Sequence, residues 1–336
     1  MKEAILYDKI KNNDVRCRLC AHRCTIKPSG RGICGVRQNL EGVLYTSVYG
    51  LVCAANIDPI EKKPLFQVLP GSKSFSIATV GCNFSCTFCQ NHDISQMPRQ
   101  AGRVAGRSST PREIVDACIR SGCRSISYTY TEPTVFFEFA LDTAKLAHEK
   151  GIKNIFVTNG YMTEDALDAI SGYLDAANVD LKSFSDEFYK QRCGARLKPV
   201  LNSLKKMKSM GVWVEVTTLL IPTLNDGNDD LMAIAEFIRS LGVETPWHIS
   251  RFHPQYQVLD LPMTPHQSIQ GAFNIGKEAG LKYVYTGNVP GDAGENTLCA
   301  RCGELLIERN GYFIKRNTLQ DGSSCPRCRS KLDGIF

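Results

Sequence analysis

Residues 80–91 read Val80-Gly81-Cys82-Asn83-Phe84-Ser85-Cys86-Thr87-Phe88-Cys89-Gln90-Asn91 and place three cysteines in the spacing C-x3-C-x2-C. The three cysteines come directly after residues 75–80, a run that is typical of a β-strand. Cysteine thiolates hold [4Fe–4S] clusters, so three of them in one short loop suit three irons and leave the fourth iron open to a non-protein ligand. The spacing alone leaves two alternatives, a zinc loop and a redox pair of cysteines.

The composition is that of an ordinary globular enzyme. A chain of 336 residues is long enough for one large domain with small appendages, and 43% hydrophobic residues supply ample core. The net charge of +6 permits an anionic substrate or nucleic acid but requires neither. We expect a cytoplasmic protein without a membrane partner, because no apolar run approaches the roughly 18 residues of a membrane span and the first residues lack the apolar core of a secretory signal.

Cysteine is the unusual component, with fifteen residues in the chain. Eleven of them fall into three clusters, and the remaining four are scattered at Cys53, Cys118, Cys123 and Cys193. In a cytoplasmic chain, clustered cysteines indicate metal binding rather than disulfide bonds.

The first cluster lies near the amino terminus, at Cys17, Cys20, Cys24 and Cys34. These four thiols, with His22 nearby, could close a tetrahedral zinc site or hold a second iron–sulfur cluster, and the spacing leaves the metal open. The alternative is a small knob of reduced cysteines. So short a segment lacks a core of its own and is expected to lean on the main domain or on a metal. The following residues, 51–73, are rich in proline and predict an extended connector.

The last cluster consists of two C-x2-C pairs, Cys299 with Cys302 and Cys325 with Cys328. Two such knuckles separated by a predicted strand at 312–314 favour a closed zinc ribbon, with a single iron ion as the alternative. A closed shell has no open position, so its role is folding or docking. The tail is basic, and we expect a solvated surface rather than a nucleic-acid site at Arg301, Arg309, Lys315, Arg316, Arg327, Arg329 and Lys331.

Between these cysteine clusters, strand-like and helix-like segments alternate about seven times. Strands are predicted at 125–130, 154–157, 177–181, 213–220, 247–250 and 282–286. Helix starts are predicted at Thr110-Pro111-Arg112-Glu113 and Thr264-Pro265-His266-Gln267, where a threonine cap precedes proline. This alternation indicates a parallel sheet with crossover helices, but periodicity does not separate an open sheet from a partial barrel. In barrels the chemistry lies at the carboxyl ends of the strands.

The cysteine loop, with an aromatic residue just before its last cysteine, resembles the radical S-adenosylmethionine (SAM) superfamily. The resemblance implies that the open iron binds the amino and carboxylate groups of SAM, and that an electron from the cluster splits SAM into methionine and a 5′-deoxyadenosyl radical. It also implies an α/β fold built on a partial (β/α)6 TIM-like barrel. We accordingly expect a Cys-rich segment with connector at 1–73, the barrel at 74–292 and a zinc-ribbon-like segment at 293–336.

Polar residues follow the predicted strands in an order that resembles the pyruvate formate-lyase activating enzyme branch. The order is Glu132-Pro133, Thr158-Asn159-Gly160, Asp180-Leu181-Lys182 and His253-Pro254. The amino-terminal cysteines, the connector and Cys89-Gln90-Asn91 resemble most closely the radical SAM member of the AmmeMemoRadiSam group.

The resemblance also implies contacts with SAM. Glu132 would bind the amino group, although Tyr130 and Thr131 replace the two glycines of relatives, and Lys182 would bind the carboxylate. Asp180 would bind the ribose or methionine, His253 the nucleoside and Phe88 the adenine. From their residue types alone, Thr158 and Asn159 suit a ribose or carboxylate contact. The alternatives are a helix start at Glu132 and a structural ion pair between Asp180 and Lys182.

These observations favour an enzyme in which the SAM-derived radical abstracts a hydrogen from a substrate. The activase-like sequence suggests a polypeptide substrate, such as a glycine of a partner enzyme, and a low-potential electron donor of the flavodoxin or ferredoxin type. Two other functions stay open. One is a radical SAM enzyme that modifies RNA, and the other is a non-catalytic scaffold that binds metal or nucleic acid and shows salt-dependent binding.

Overall fold

Alternating strands and helices occupy most of the chain, which the computed structural model describes over residues 1–289 and 291–336. The strands are β1 (Lys2–Glu3), β2 (Tyr7–Lys9), β3 (Val15–Cys17), β4 (Thr25–Ile26), β5 (Arg37–Leu40), β6 (Val43–Thr46), β7 (Leu51–Val52), β8 (Ala54–Pro59), β9 (Lys73–Ala78), β10 (Arg107–Ser108), β11 (Ser125–Tyr128), β12 (Lys153–Thr158), β13 (Ala176–Asp180), β14 (Trp213–Leu220), β15 (Trp247–Arg251), β16 (Val284–Gly287), β17 (Thr297–Leu298), β18 (Leu305–Asn310) and β19 (Phe313–Asn317). The α-helices are α1 (His92–Ser95), α2 (Met97–Gln100), α3 (Pro111–Arg120), α4 (Phe137–Glu149), α5 (Glu164–Ile170), α6 (Asp186–Phe188), α7 (Leu197–Ser209), α8 (Asn228–Leu241) and α9 (His266–Glu278). Within the described ranges, no helix is both long and apolar enough to cross a membrane.

The central sheet has eight strands in the order β16-β15-β14-β13-β12-β11-β9-β8. Seven of these strands are parallel and follow one another along the chain, and β8 joins the edge in antiparallel orientation. Strands such as β11 are buried at every position, as expected where helices cover one face and a packed interior the other. The predicted α/β fold with alternating parallel strands and helices is thereby confirmed.

Of the two N-cap residues predicted from the sequence, the structure confirms one. Thr110 forms the predicted capping box of α3, since its hydroxyl accepts a hydrogen bond from the Glu113 amide at 3.2 Å and its own amide donates to the Glu113 carboxylate at 2.7 Å. The prediction of Thr264 as the cap of α9 is wrong. Its hydroxyl is buried, accepts from the Phe252 amide at 3.0 Å and donates to the Leu220 carbonyl. The Thr264 hydroxyl therefore bonds to residues distant in sequence rather than to the first turn of α9.

Part of the connector is buried against the strands of the curved central sheet rather than lying on the protein surface. The Glu215 carboxylate on β14 accepts hydrogen bonds from the backbone amides of Phe66 and Gln67, at 3.0 and 2.9 Å. The Asn178 side chain on β13 donates to the Pro64 carbonyl at 2.8 Å. Because buried backbone groups must be paired, these strand side chains fix the path of the connector.

The amino-terminal segment leans on the barrel, as expected for a segment with so small a core. Its two three-stranded sheets have the orders β1-β6-β5 and β2-β3-β4. Val15 and Leu19 belong to the same hydrophobic core as Tyr128 of the central sheet. Arg37 pairs with Glu138 of α4, and both side chains are buried.

The carboxyl-terminal segment, a three-stranded sheet of β17, β18 and β19, is fastened to the connector. Arg309 donates hydrogen bonds to the Phe66 carbonyl at 2.9 Å and to the Thr297 hydroxyl at 2.7 Å. Ile335 exchanges two backbone hydrogen bonds with residues 67 and 69. The expectation that Arg309 belongs to a solvated surface is wrong, because the residue is 4% exposed, whereas the six other basic residues of that set are exposed.

Candidate active site

A cavity of about 470 Å³ lies at the carboxyl ends of the parallel strands. It receives side chains from the loop after β9 and from the ends of β11, β12, β13, β14 and β15. Since strand ends so far apart in the sheet line one space, the sheet curves around it. The cavity brings together these residues that the sequence predicted: Cys82, Cys86, Phe88, Cys89, Glu132, Thr158, Asn159, Asp180 and Lys182.

One predicted residue lies elsewhere. His253 follows β15, but its side chain is exposed and is not among the residues that line the cavity. Ser250, which lies on β15 three residues before His253, lines the cavity instead. A contact between His253 and a nucleoside therefore stays a prediction.

The cysteine loop is held from both sides by hydrogen bonds to its backbone. The Arg99 guanidinium donates to the carbonyls of Cys82 and Phe84, both at 2.7 Å. On the other side, the Ser85 amide donates to the Cys193 carbonyl at 2.9 Å. Anchoring of the backbone fixes the directions in which the three thiols point into the cavity.

The three thiols differ in their surroundings. Burial raises the pKa of Cys82 and of Cys89, whereas a hydrogen bond from Cys193 lowers the pKa of Cys86. The Cys82 sulfur accepts from the Phe84 amide at 3.4 Å. Soft thiolate donors facing one cavity fit an iron–sulfur cluster with a free iron site, and metal binding would deprotonate all three.

Glu132 is the hub of the polar wall of the cavity and is 1% exposed. Its Oε1 accepts from the Thr134 amide at 3.0 Å and from the Thr158 hydroxyl at 2.7 Å, and its Oε2 accepts from the Asn159 amide at 2.8 Å. Burial raises the pKa of Glu132, and these hydrogen bonds oppose the shift. Since a carboxylate oxygen can accept two hydrogen bonds, Oε2 retains capacity for a donor in the cavity.

Asn159 connects this wall to the cysteine loop. Its side-chain amide donates to Asn83 Oδ1 at 2.7 Å and lies 3.8 Å from the Cys82 sulfur. The turn after β12 is therefore fixed both by Glu132 and by the loop that carries the thiols.

Asp180 and Lys182 lie side by side, as their alternate positions predict. Lys182 Nζ is 2.8 Å from Asp180 Oδ2 and 5.8 Å from the centre of the buried Phe88 ring. Burial alone would lower the pKa of Lys182, but the Asp180 carboxylate raises it well above its ordinary value. The pair thus brings a fixed cation and an anion to the same cavity as Glu132.

The sequence missed several residues of the rim. Tyr130 has φ of +62°, a left-handed conformation that costs about 1 kcal/mol or more in a residue other than glycine. The Asn91 side-chain amide donates a hydrogen bond to the Tyr130 carbonyl at 2.7 Å, and the Tyr130 phenol donates to the Asp58 carboxylate. The only sequence signal for a role of Tyr130 was that it occupies a position where relatives carry glycine. No sequence pattern indicated that Lys63 or Tyr312 would also line the cavity.

The rim contains a compact ionic group. Asp58 accepts from Lys63 Nζ at 2.6 Å and from Lys62 Nζ at 2.9 Å. Burial alone would raise the pKa of Asp58, but hydrogen bonds from Lys63, Tyr130 and Lys62 hold it well below its ordinary value. Lys63 is 2% exposed, so it depends on this carboxylate.

The four carboxyl-terminal cysteines converge on one point, with their sulfurs within 4.8 Å of one another. The sulfurs of Cys299 and Cys328 are 3.6 Å apart, and those of Cys302 and Cys325 are 3.7 Å apart. Four sulfurs around a tetrahedral ion, with metal–sulfur bonds of about 2.3 Å, lie roughly 3.8 Å from one another. A hydrogen bond from Ser330 lowers the pKa of Cys328 to about 6. The geometry therefore suits a single tetrahedral ion of either zinc or iron.

The amino-terminal cysteines occupy a cavity of their own. Cys17, Cys20, Cys24 and Cys34 line it together with His22. Among the described residues, the carboxyl-terminal quartet is the only group of three or more Cys, His, Asp or Glu whose ligand atoms all lie within 4.8 Å of one another, so the sulfurs of this amino-terminal set are spread more widely.

Comparison with known proteins agrees with this geometry. The pattern described as the Radical SAM superfamily matches residues 76–238. The chain is 49% identical over 338 residues to the uncharacterized protein MJ0808 of Methanocaldococcus jannaschii, covering 100% of both chains. It is 26% identical over 168 residues to the pyruvate formate-lyase-activating enzyme of Clostridium pasteurianum, covering 48% of this chain and 67% of that protein.

A solved structure shares the fold. A radical SAM methyltransferase from Sphaerobacter thermophilus matches with a TM-score of 0.51 and 14% sequence identity, over 67% of this chain and 70% of that chain. This likeness concerns the fold alone. The sequence matches show that the chain belongs to the radical SAM superfamily, whose membership implies a [4Fe–4S] cluster and SAM, and that it has relatives among pyruvate formate-lyase activating enzymes.

Proposed function

We propose that this protein is an enzyme that cleaves SAM at a [4Fe–4S] cluster held by Cys82, Cys86 and Cys89. The observation that supports the proposal is that these three thiols face the same cavity as Glu132 and Lys182. When bound, the cluster supplies one electron to SAM, which breaks into methionine and a 5′-deoxyadenosyl radical that takes a hydrogen atom from the substrate.

The residues of the chain bind and orient SAM in this proposal. Glu132 Oε2 accepts from the amino group, and the Lys182 ammonium pairs with the carboxylate. Asp180 accepts from a ribose hydroxyl, since its side chain is partly exposed to the cavity, and the Phe88 ring contacts the adenine. Asn159, fixed by Glu132 and Asn83, positions the turn that Thr158 begins.

We further propose that the substrate is a polypeptide and that a protein of the flavodoxin or ferredoxin type donates the electron. The polypeptide substrate is supported by the similarity to the enzyme of Clostridium pasteurianum, whose name describes it as activating pyruvate formate-lyase. The radical reacts over the mouth of the cavity, where Lys62 and Tyr312 form part of the rim. These residues would contact the substrate chain rather than SAM.

Zinc is proposed for the four carboxyl-terminal cysteines, where it would hold the final segment in shape. In the proposed division, 1–73 and 293–336 flank a barrel at 74–292. The hydrogen bonds of Arg309 and Ile335 to the connector support a structural role for this segment, because they fasten it to buried residues of the connector. Its hairpin also brings Tyr312 to the rim.

Anaerobic reconstitution tests the proposed function. We expect an EPR signal of the reduced cluster that changes when SAM is added, and 5′-deoxyadenosine after reduction. The Cys86→Ala variant should lose both. Cys53→Ala is the matched control, because Cys53 is a half-buried thiol outside the three cysteine clusters. A wild-type protein with no SAM-sensitive signal and no 5′-deoxyadenosine would refute the proposal.

A further inference from the structure

The amino-terminal cavity gathers four thiols next to the loop that carries Cys82. Cys17, Cys20, Cys24 and Cys34 are free thiols, and all four line one cavity. The remaining lining combines the apolar side chains of Leu19, Ile26, Ile33 and Val135 with the polar side chains of His22, Arg37, Asn83 and Thr134. The SAM-cleaving function as proposed above gives these thiols no role.

The spread of the sulfurs favours a cluster over a single ion. Two bonds of about 2.3 Å to one zinc span at most roughly 4.6 Å. The four amino-terminal sulfurs are not all within 4.8 Å of one another, in contrast to the carboxyl-terminal quartet. An iron–sulfur cluster distributes its ligands over several irons and so accepts a wider set of thiolates.

A buried cation accompanies these thiols. Arg37 is 1% exposed, and its Nη1 lies 3.5 Å from the Cys17 sulfur as a hydrogen-bond donor. Hydrogen bonds to cluster sulfurs are among the features by which a protein sets a cluster's reduction potential. Glu138 balances the guanidinium charge on its other side.

The cavity shares a wall with the cysteine loop of the SAM site. Asn83, which directly follows Cys82, lines the amino-terminal cavity, and its carbonyl is 2.8 Å from His22 Nε2. The contact is close at Gly81 as well. A Cβ placed there would lie 2.8 Å from Val36 Cγ1 and 3.4 Å from the Cys34 carbonyl oxygen. The loop that carries Cys82 therefore forms part of the wall of the amino-terminal cavity.

We propose that Cys17, Cys20, Cys24 and Cys34 hold a second iron–sulfur cluster that relays electrons to the cluster at Cys82, Cys86 and Cys89. This inference rests on the proposed function. A reduced flavodoxin- or ferredoxin-type protein gives one electron to the amino-terminal cluster, which is thereby reduced and then reoxidised as it reduces the second cluster. The electron leaves in the cleavage of SAM, so each turnover consumes one electron from the donor.

Metal analysis of three reconstituted proteins tests whether the second cluster exists. The wild type should contain about eight irons, as two clusters of four require. The triple variant Cys82→Ala/Cys86→Ala/Cys89→Ala should keep about four irons and an EPR signal that SAM does not change. The variant Cys17→Ala/Cys20→Ala should keep about four irons and the SAM-sensitive signal.

The outcomes separate this inference from the proposed function. A folded triple variant without iron overturns the second cluster, whatever zinc its carboxyl-terminal cysteines hold, and leaves the proposed function to be tested on the wild type. A wild type with no SAM-sensitive signal overturns the proposed function even if the triple variant keeps its iron. Should Cys17→Ala/Cys20→Ala fail to fold, the triple variant still decides whether the amino-terminal thiols bind a cluster.

A comparison of electron donors tests the relay. In Cys17→Ala/Cys20→Ala, formation of 5′-deoxyadenosine should be lost with reduced flavodoxin but kept with a small chemical reductant that can enter the open cavity. The Cys53→Ala variant should form it with both donors. Unchanged formation with flavodoxin would show that the amino-terminal cluster carries no electrons to the SAM site.

Discussion

Replacing Glu132 by glutamine should weaken both the fold and SAM binding. Three hydrogen bonds, from Thr134 and Thr158, reach Oε1, and one from the Asn159 amide reaches Oε2. Glutamine would therefore place its amide nitrogen at the Oε2 position, where only one donor faces it. The Asn159 amide then loses its buried acceptor, which costs about 1–3 kcal/mol in the free energy of unfolding.

The same substitution removes the charge proposed to face the amino group of SAM. A hydrogen bond to a charged group contributes about 1.5–3 kcal/mol. We therefore expect the Kd for SAM to rise about 10- to 150-fold in Glu132→Gln. The geometry of the wall is otherwise kept, because Oε1 still accepts from Thr134 and Thr158.

Two measurements on cluster-loaded protein check this prediction. The Kd comes from titrating the SAM-dependent change in the EPR signal, and the stability comes from anaerobic urea unfolding at matched iron content. Glu113→Gln is the control, because Glu113 caps α3 on the surface away from the cavity, and its Kd for SAM should match the wild type. A Glu132→Gln protein that binds SAM as tightly as the wild type would refute the reasoning.

Three further predictions concern the flanking segments and the rim. Cys325→Ala should lose the carboxyl-terminal metal and stability but keep the SAM-sensitive EPR signal, and loss of both would contradict separate sites. Asp58→Asn should cost about 3–5 kcal/mol in urea unfolding at pH 7, because it leaves buried Lys63 unpaired. Because the pKa of Asp58 is lowered in the folded state, the stabilisation by its carboxylate should be full above a pH of about 4 and should disappear as the pH falls further. If the wild type and Asp58→Asn differed in unfolding free energy at pH 3 by as much as at pH 7, this reasoning would be contradicted. Arg309→Leu should cost about 3 kcal/mol and speed proteolysis of the tail, whereas exposed Arg316→Leu should change neither.

Much of the candidate site could be predicted because its signals are local. Alternation along a strand is enough to put Asp180 and Lys182 on one face, and parallel topology is enough to bring strand ends together. The same logic explains the capping box of Thr110, whose partner is three residues away. His253 shows the limit, since the position of a residue after a strand does not determine the direction in which its side chain points.

The sequence by itself determined the alternation of strands and helices, the cysteine loop and the two outer cysteine clusters. Each of these depends on residue type and spacing within a few turns of chain. Only the tertiary structure decided that Arg309 is buried, that Glu215 holds the connector and that Tyr312 reaches the active-site rim. These contacts join residues that are far apart in sequence, and their partners are selected by burial of polar groups inside the folded protein, which no local pattern encodes.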